Sequence, residues 1–176
     1  MPTTEPVVIT NHVTDSDFLV SACLLALASN VDAKTHLAAC RHALRQLGEL
    51  VLSPVFINEC QKKADGIIVP AYHNQMAVLI LTHPMPTQAL AKLAKQLEQA
   101  NGRASQTKPL VTLDVDLLAV KAQTQVTSSD TTWTAIGNSW LALARRLPLA
   151  NYDQYGITQL PLPYPSDFSD LLTQST

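Results

Sequence analysis

The chain has 176 residues, of which 47% are hydrophobic and 15% are charged. This length predicts one globular domain with its own core, residues 1–176. Twelve basic residues stand against fourteen acidic ones without any basic run, which argues against a nucleic-acid-binding protein. The high apolar content excludes a disordered chain.

The first residues give no sign of export or membrane insertion. Met1–Asp17 lacks a positively charged segment, and the apolar run after it is shorter than the roughly 20 residues that span a bilayer. The three cysteines, Cys23, Cys40 and Cys60, have neither a paired nor a metal-binding spacing. These features predict a cytoplasmic protein that contacts no membrane.

Strand and helix patterns alternate from the start of the apolar region. Phe18–Ala28 is a continuous apolar run, typical of a strand buried on both faces. Asp32 is positioned to cap a helix whose apolar residues recur every three or four positions, with Gly48 as its stop. Leu50–Ile57 is strand-like, and Pro54 within it indicates a sheet edge or a bulge.

The same alternation continues in the middle of the chain. Asn74–Thr82 is predicted to be a strand that Pro84 closes. Thr87 is predicted to cap a second helix that ends at Asn101. Val111–Val120 then has the alternation of a final strand.

This order predicts an α+β fold, a ferredoxin-like βαββαβ sandwich with an antiparallel sheet and helices on one face. Residues 18–120 form the core, and residues 121–176 form a C-terminal extension. Within the extension, Thr132–Leu147 has the apolar spacing of a helix, and the segment through Pro165 is predicted to be extended.

Two carboxylates occupy alternate positions of the last predicted strand. Asp114 and Asp116 point to the same face, so they can converge on one or two cations. Mg²⁺ suits such hard oxygen ligands. Exposure of both carboxylates to water on an open sheet is the other interpretation, and the spacing alone does not decide between them.

Two further groups of polar residues flank the predicted elements. Arg103 follows the glycine after the second helix, where it can reach either a phosphate or the last helix carbonyls. Tyr72 and Asn74 offer an aromatic ring and an amide that both donates and accepts, which suits a flat heterocycle. Neither group identifies a function by itself.

Six short motifs follow one another between residues 18 and 120. In chain order they are Ser29-Asn30, Ser53-Pro54-Val55-Phe56, Tyr72-His73-Asn74-Gln75, Leu97-Glu98, Gly102-Arg103 and Thr112-Leu113-Asp114-Val115-Asp116-Leu117-Leu118. As an ordered set they resemble the hydroxymethyl-dihydropterin pyrophosphokinase family of folate biosynthesis. The last motif is the most specific part of the resemblance.

The resemblance implies the family's ferredoxin-like fold and its reaction. In that reaction a pyrophosphoryl group passes from ATP to the hydroxymethyl oxygen of 6-hydroxymethyl-7,8-dihydropterin, and AMP is released. The implied partners are therefore ATP and a reduced pterin, and the implied cofactor is Mg²⁺, two ions with each ATP. A monomer or a weak dimer is expected.

The resemblance also assigns roles to eight residues of this chain. The catalytic residues are two acids and an arginine, Asp114, Asp116 and Arg103, of which the two aspartates are also the metal ligands. The pterin-binding residues are Asn74, Tyr72 and Asn58. The nucleotide-binding residues are Arg103, Glu98 and Leu117.

The chain departs from the family pattern mainly in basic residues. Ser105 and Val111 stand where the family usually has a basic residue. Charge-assisted bonds to phosphate are strong, and a preorganised donor contributes about 10²- to 10³-fold in rate. The absence of these two basic residues favours an alternative, in which the protein is a catalytically impaired paralogue that binds nucleotide, pterin or a protein partner.

The presence of both aspartates and of Asn74 favours the first interpretation, that the protein is an active pyrophosphokinase. A third interpretation, a regulatory module unrelated to folate, requires both aspartates to be solvated. Five basic residues have the charge to compensate, although each is expected on a solvated face: Lys62, Lys63, Lys108, Arg145 and Arg146. Trp140 is the candidate for the family's pterin-stacking phenylalanine.

Overall fold

The computed structural model describes residues 17–58, 66, 68–103, 109–123, 132–137 and 139–173. Five residues with sequence-based expectations lie outside these ranges: Cys60, Lys62, Lys63, Ser105 and Lys108. Within the described ranges, no helix is both long and apolar enough to cross a membrane.

The described elements are strands and helices of a mixed α/β fold. In chain order they are β1 (Leu19–Ser29), α1 (Ala33–Arg45), β2 (Gly48–Leu52), β3 (Phe56–Ile57), β4 (His73–Pro86), α2 (Thr87–Ala100), β5 (Asp114–Ala122), β6 (Trp133–Ile136), β7 (Trp140–Leu143), α3 (Asn151–Thr158), α4 (Tyr164–Asp167) and α5 (Ser169–Leu172).

All seven strands join one open antiparallel sheet. The order is β2-β4-β1-β5-β7-β6, and β3 pairs with the start of β4. The central strand β1 pairs with β4 on one side and with β5 on the other. Its residue Ala28 lies opposite Asn74 in β4 and opposite Asp114 in β5. This register brings the predicted pterin-binding and metal-binding residues to the same end of the sheet.

A hydrophobic core lies on each face of the sheet. On one face, α1 and α2 bury a stripe of residues that includes Leu37, Leu44 and Leu90. The opposite face is covered by the C-terminal segment, through Ile157, Leu160, Phe168 and Leu171. The first two helices therefore share one face, as predicted, while the extension adds a helical layer on the other face.

The predicted helix over residues 132–147 is wrong. That segment forms the β6–β7 hairpin, in which Ile136 lies opposite Trp140, and β7 pairs with the outer edge of β5. An unpaired strand edge offers a row of free N–H and C=O groups, and the hairpin satisfies them. The tail predicted to be extended instead contains α3 and α4.

Two predicted helix ends also differ from the structure. Asp32 occupies the position before α1 with a left-handed backbone (φ 44°), and its side chain makes no capping hydrogen bond. Gly48 does not stop α1 but begins β2, where a Cβ atom would lie 1.9 Å from the Ile80 carbonyl oxygen. The glycine is thus required by close strand packing rather than by the helix end.

The second helix and the strand before it also start and end differently from the prediction. β4 runs through Pro84 as far as Pro86, because its last residues pair only with β1. Thr87 is the first residue of α2 rather than its cap. Pro86 occupies the cap position, and the distant Asp17 supplies the capping contact, because its Oδ1 accepts a hydrogen bond from the Gln88 backbone N–H at 3.0 Å.

Candidate active site

A cavity of about 1190 Å³ opens at the end of the sheet where β1, β4 and β5 meet. Alternate residues of these strands form its floor. In β1, Ala28 lies between Asn74 and Asp114, and Ala26 lies opposite Asp116. Because the two alanine side chains are small, the polar side chains beside them face a common space.

Six of the eight predicted site residues line this cavity: Asn58, Tyr72, Asn74, Arg103, Asp114 and Asp116. Leu117 instead lines a second cavity of about 220 Å³ beside α2. Asp116 lines both cavities, so they adjoin at this residue. Glu98 is buried behind the site, where its Oε1 accepts a hydrogen bond from the Val115 backbone N–H at 3.0 Å.

Arg103 is held at the cavity wall by several oxygen atoms. Its Nη1 donates to Oδ1 of Asp114 and to the Leu113 carbonyl oxygen, the latter at 3.0 Å. The same nitrogen lies 3.3 Å from Oε1 of Glu98. Glu98 therefore helps to orient the arginine without itself facing the larger cavity.

Arg146 belongs to the site, contrary to the expectation of a solvated face. It lies in a 3₁₀ turn that follows β7, and its Nη2 donates to Oδ1 of Asp116. Its neighbour Arg145 is exposed and lines only the smaller cavity. No local pattern separates these adjacent arginines, because the path of the β6–β7 hairpin decides which one reaches the aspartate.

Helix α3 forms a wall of the cavity that sequence reasoning missed. Tyr155 packs edge to face on Phe56 of β3, with ring centroids 5.1 Å apart. Gly156 permits this approach, since a Cβ atom there would lie 2.7 Å from Cγ of Met76. The one available signal was a cluster of polar and aromatic residues, all of which line the cavity: Asn151, Tyr152, Asp153 and Tyr155.

Trp140 does not occupy the position expected of a ligand-stacking ring. Its side chain is 2% exposed in the core, and its ring centroid lies 4.7 Å from that of Phe168. The aromatic residues that do line the cavity are Phe56, Tyr72, Tyr152 and Tyr155. The prediction for Trp140 is therefore wrong, because the tryptophan anchors the C-terminal layer.

The site carries more negative charge than its two arginines balance. Burial raises the pKa of Asp116, and the neighbouring Asp114 raises it further, while Arg146 lowers it. Burial, with a contribution from Asp116, raises the pKa of Asp153 to about 7. Val111, where the resemblance predicts a basic residue, adds an apolar side chain to the same wall. A bound cation would relieve this imbalance.

The donor set fits Mg²⁺ that is shared with a phosphate ligand. Within the described residues, Asp114 and Asp116 each use one carboxylate oxygen for an arginine and keep the other without a hydrogen bond. The described residues contain no group of three His, Cys, Asp or Glu side chains that could hold a metal. Mg²⁺ is commonly held by one or two carboxylates together with substrate phosphates and water.

The family model of 7,8-dihydro-6-hydroxymethylpterin-pyrophosphokinase matches residues 24–165, which is most of the chain. The chain belongs to this family. Enzymes of this pyrophosphokinase family use ATP with Mg²⁺ and act in folate biosynthesis. The family match includes all eight predicted site residues and extends over Arg146 and α3. No curated protein sequence matches the chain significantly.

Proposed function

We propose that the protein transfers a pyrophosphoryl group from ATP to the hydroxymethyl oxygen of 6-hydroxymethyl-7,8-dihydropterin and releases AMP. The observation that carries this proposal is the shared cavity of Asn74, Arg103, Asp114 and Asp116 at the ends of three paired strands. Family membership supports the class of reaction. The cavity, at about 1190 Å³, has room for a pterin beside a chain of phosphates.

The pterin is proposed to bind at the side of the cavity formed by β3 and β4. The Asn74 amide nitrogen donates to the Tyr72 carbonyl oxygen at 3.2 Å, which fixes the amide and leaves its oxygen as an acceptor. Asn58 supplies a second amide at the same wall. Phe56 and Tyr155 provide ring surface for the flat heterocycle.

ATP is proposed to lie across β5, from the smaller cavity into the larger one. Leu117 gives the adenine an apolar contact in the smaller cavity. Asp116 borders both cavities, so a nucleotide in this position runs its phosphates past both aspartates. Arg103, oriented by Glu98, then binds a phosphate with a charge-assisted hydrogen bond.

Asp114 and Asp116 are proposed to hold two Mg²⁺ ions together with ATP. When bound, Mg²⁺ neutralises triphosphate charge, which is the chief requirement of phosphoryl-type transfer. The residues of the chain supply positioning, because Arg103 fixes the phosphates while Asn74 fixes the ring that carries the attacking hydroxyl. The hydroxymethyl oxygen bonds to the β-phosphorus and gives up its proton to water, while the bond from that phosphorus to the bridging oxygen breaks and AMP leaves with that oxygen.

A second candidate is a protein that binds the same ligands without efficient turnover. The apolar Val111 at the cavity wall favours it, because a basic residue at that position would stabilise phosphate charge in the transition state. The two candidates predict the same binding and differ in the rate of AMP formation.

AMP formation from ATP, Mg²⁺ and hydroxymethyl-dihydropterin tests the proposal. We expect AMP from the wild-type protein and its loss in Asp114→Ala. Glu49→Gln is the matched control, because Glu49 is an exposed acid on the edge strand β2, at the other end of the sheet. Binding of ATP and pterin without AMP would support the second candidate, and binding of neither would overturn both.

A further inference from the structure

The ion pair between Asp116 and Arg146 lies where the two cavities adjoin. Asp116 lines both cavities, and Arg146 lines the smaller one beside Leu117. Their contact connects β5 to the turn after β7, across 30 positions of the chain. A ligand that extends from one cavity into the other must therefore pass this pair.

The two arginines of the site are held differently. Arg103 is fixed by the Leu113 carbonyl oxygen as well as by carboxylates. Arg146 has Asp116 as its one hydrogen-bonding partner within the described residues, and 38% of its side chain is exposed. A partly exposed ion pair contributes little to stability, so Arg146 can leave its aspartate at low cost.

We propose that Asp116 exchanges its counter-ion when nucleotide binds: Mg²⁺ replaces Arg146 at the carboxylate, and Arg146 turns to a phosphate of the nucleotide. This proposal rests on the nucleotide site proposed above. The Asp116 carboxylate is 26% exposed and lies beside Asp114, so a neighbouring cation stabilises its charged form both before and after binding. The freed guanidinium offers up to five N–H donors, which suit phosphate oxygens.

The exchange gives Arg146 opposite effects on the two ligands. Without nucleotide, the arginine competes with Mg²⁺ for Asp116. With nucleotide bound, the same arginine holds a phosphate. Loss of its charge therefore strengthens the binding of Mg²⁺ alone and weakens the binding of ATP, whereas an arginine that only maintains the fold would not have effects of opposite sign.

Titration calorimetry on Arg146→Gln tests this, first with MgCl₂ alone and then with ATP at saturating Mg²⁺, always without pterin. We expect Mg²⁺ to bind about three- to tenfold more tightly and ATP about ten- to a hundredfold more weakly. Arg145→Gln is the matched control. It removes the same charge from an exposed neighbour that makes no ion pair with either aspartate in the described residues. We expect its Mg²⁺ affinity to stay within about twofold of the wild type.

Arg146→Lys provides a second variant that keeps the charge. It should retain a Mg²⁺ affinity near that of the wild type and bind ATP with an affinity between those of the wild type and Arg146→Gln. A thermal melt establishes that each variant is folded. Equal Mg²⁺ affinities for Arg146→Gln and Arg145→Gln, or an unchanged ATP affinity in Arg146→Gln, would overturn the exchange.

The affinity shifts and the AMP assay together distinguish a failure of the counter-ion exchange from a failure of the proposed activity. Affinity shifts of opposite sign without AMP formation would support the exchange and overturn the pyrophosphokinase. AMP formation with unshifted affinities would support the pyrophosphokinase and overturn the exchange.

Discussion

Single side chains decide how much space and how much charge the site contains. Ala26 and Ala28 leave the floor of the cavity open between the polar residues of β4 and β5. Asp153 adds a third carboxylate near Asp114 and Asp116, and within the described residues this carboxylate has no hydrogen bond or ion pair. Space and charge at the site can therefore be changed one residue at a time.

A valine at position 28 should fill the floor of the cavity. Valine suits a β-strand, so Ala28→Val is expected to change the melting temperature little. Its two added methyl groups would occupy space between Asn74 and Asp114. We expect pterin affinity, measured by calorimetry, to fall at least about tenfold. Ala135→Val, on the exposed face of β6, is the matched control and should bind the pterin like the wild type.

The Asp153 carboxyl should make the free protein less stable as the pH rises. Its folded-state pKa of about 7 lies above the ordinary value of 3.8, so the folded form binds more protons between about pH 4 and 7. Stability is therefore lost across that window. Asp153→Asn removes the effect, and we expect its free energy of unfolding at pH 7.5 to rise by on the order of 2–4 kcal/mol.

Denaturant unfolding at about pH 4 and at pH 7.5, with a chelator present, measures this gain. Asp32→Asn, on the exposed turn before α1, is the control with the same chemical change. An equal gain for Asp153→Asn at both pH values would show that the carboxylate charge is not the cause.

At the scale of elements, α3 and β3 together form one wall of the cavity. Tyr155 meets Phe56 across this wall, and Gly156 lets α3 approach β4. The wall depends on close packing between elements that are far apart in sequence. A small change at that contact should therefore affect ligand binding and stability together.

Gly156→Ala should push α3 away from the sheet. The new Cβ atom would lie 2.7 Å from Cγ of Met76 and 2.9 Å from a ring carbon of Phe56. We expect a loss of about 1–3 kcal/mol in the free energy of unfolding and weaker pterin binding. Gly137→Ala is the matched control, because its nearest contact would be 3.7 Å from Asp170. Similar losses in both variants would contradict this account of α3.

At the scale of the whole molecule, one sheet supports a separate core on each face. The core beneath α1 and α2 stabilises the predicted βαββαβ segment. The core on the other face joins the C-terminal segment to the same strands through Trp140 and Phe168. If the chain is a single domain, as its length predicts, both cores unfold together.

Phe168→Ala tests this cooperativity. Phe168 is fully buried, so the substitution should lower the free energy of unfolding by about 3–5 kcal/mol. We expect circular dichroism and tryptophan fluorescence to report one coincident transition, at a lower denaturant concentration than in the wild type. Leu162→Ala, at a side chain that is 82% exposed, should change the midpoint little. Two separate transitions in the wild type would contradict a single domain.

The sequence by itself determined most strands and helices of the first 120 residues and the shared face of the acid pair. The exception is the single strand predicted over Leu50–Ile57, which forms two strands, β2 and β3, on either side of Pro54. These features follow from local periodicity: side chains two apart in a strand face the same way, and apolar residues three or four apart form one side of a helix. The limits of these elements were less well determined, as Gly48 and Thr87 show, because close packing and caps from distant residues fixed them.

Only the tertiary structure decided which side chains complete the site. The register of β1 with β4 and β5 placed Asn74 and Asp114 on either side of Ala28. The segment with a helix-like apolar pattern forms the β6–β7 hairpin, because β7 pairs with the free edge of β5. The hairpin places Arg146 beside Asp116, and the chain after it places α3 against the cavity. Such contacts join segments about 20 or more residues apart, and their free energy comes from burial and strand pairing that no local pattern records.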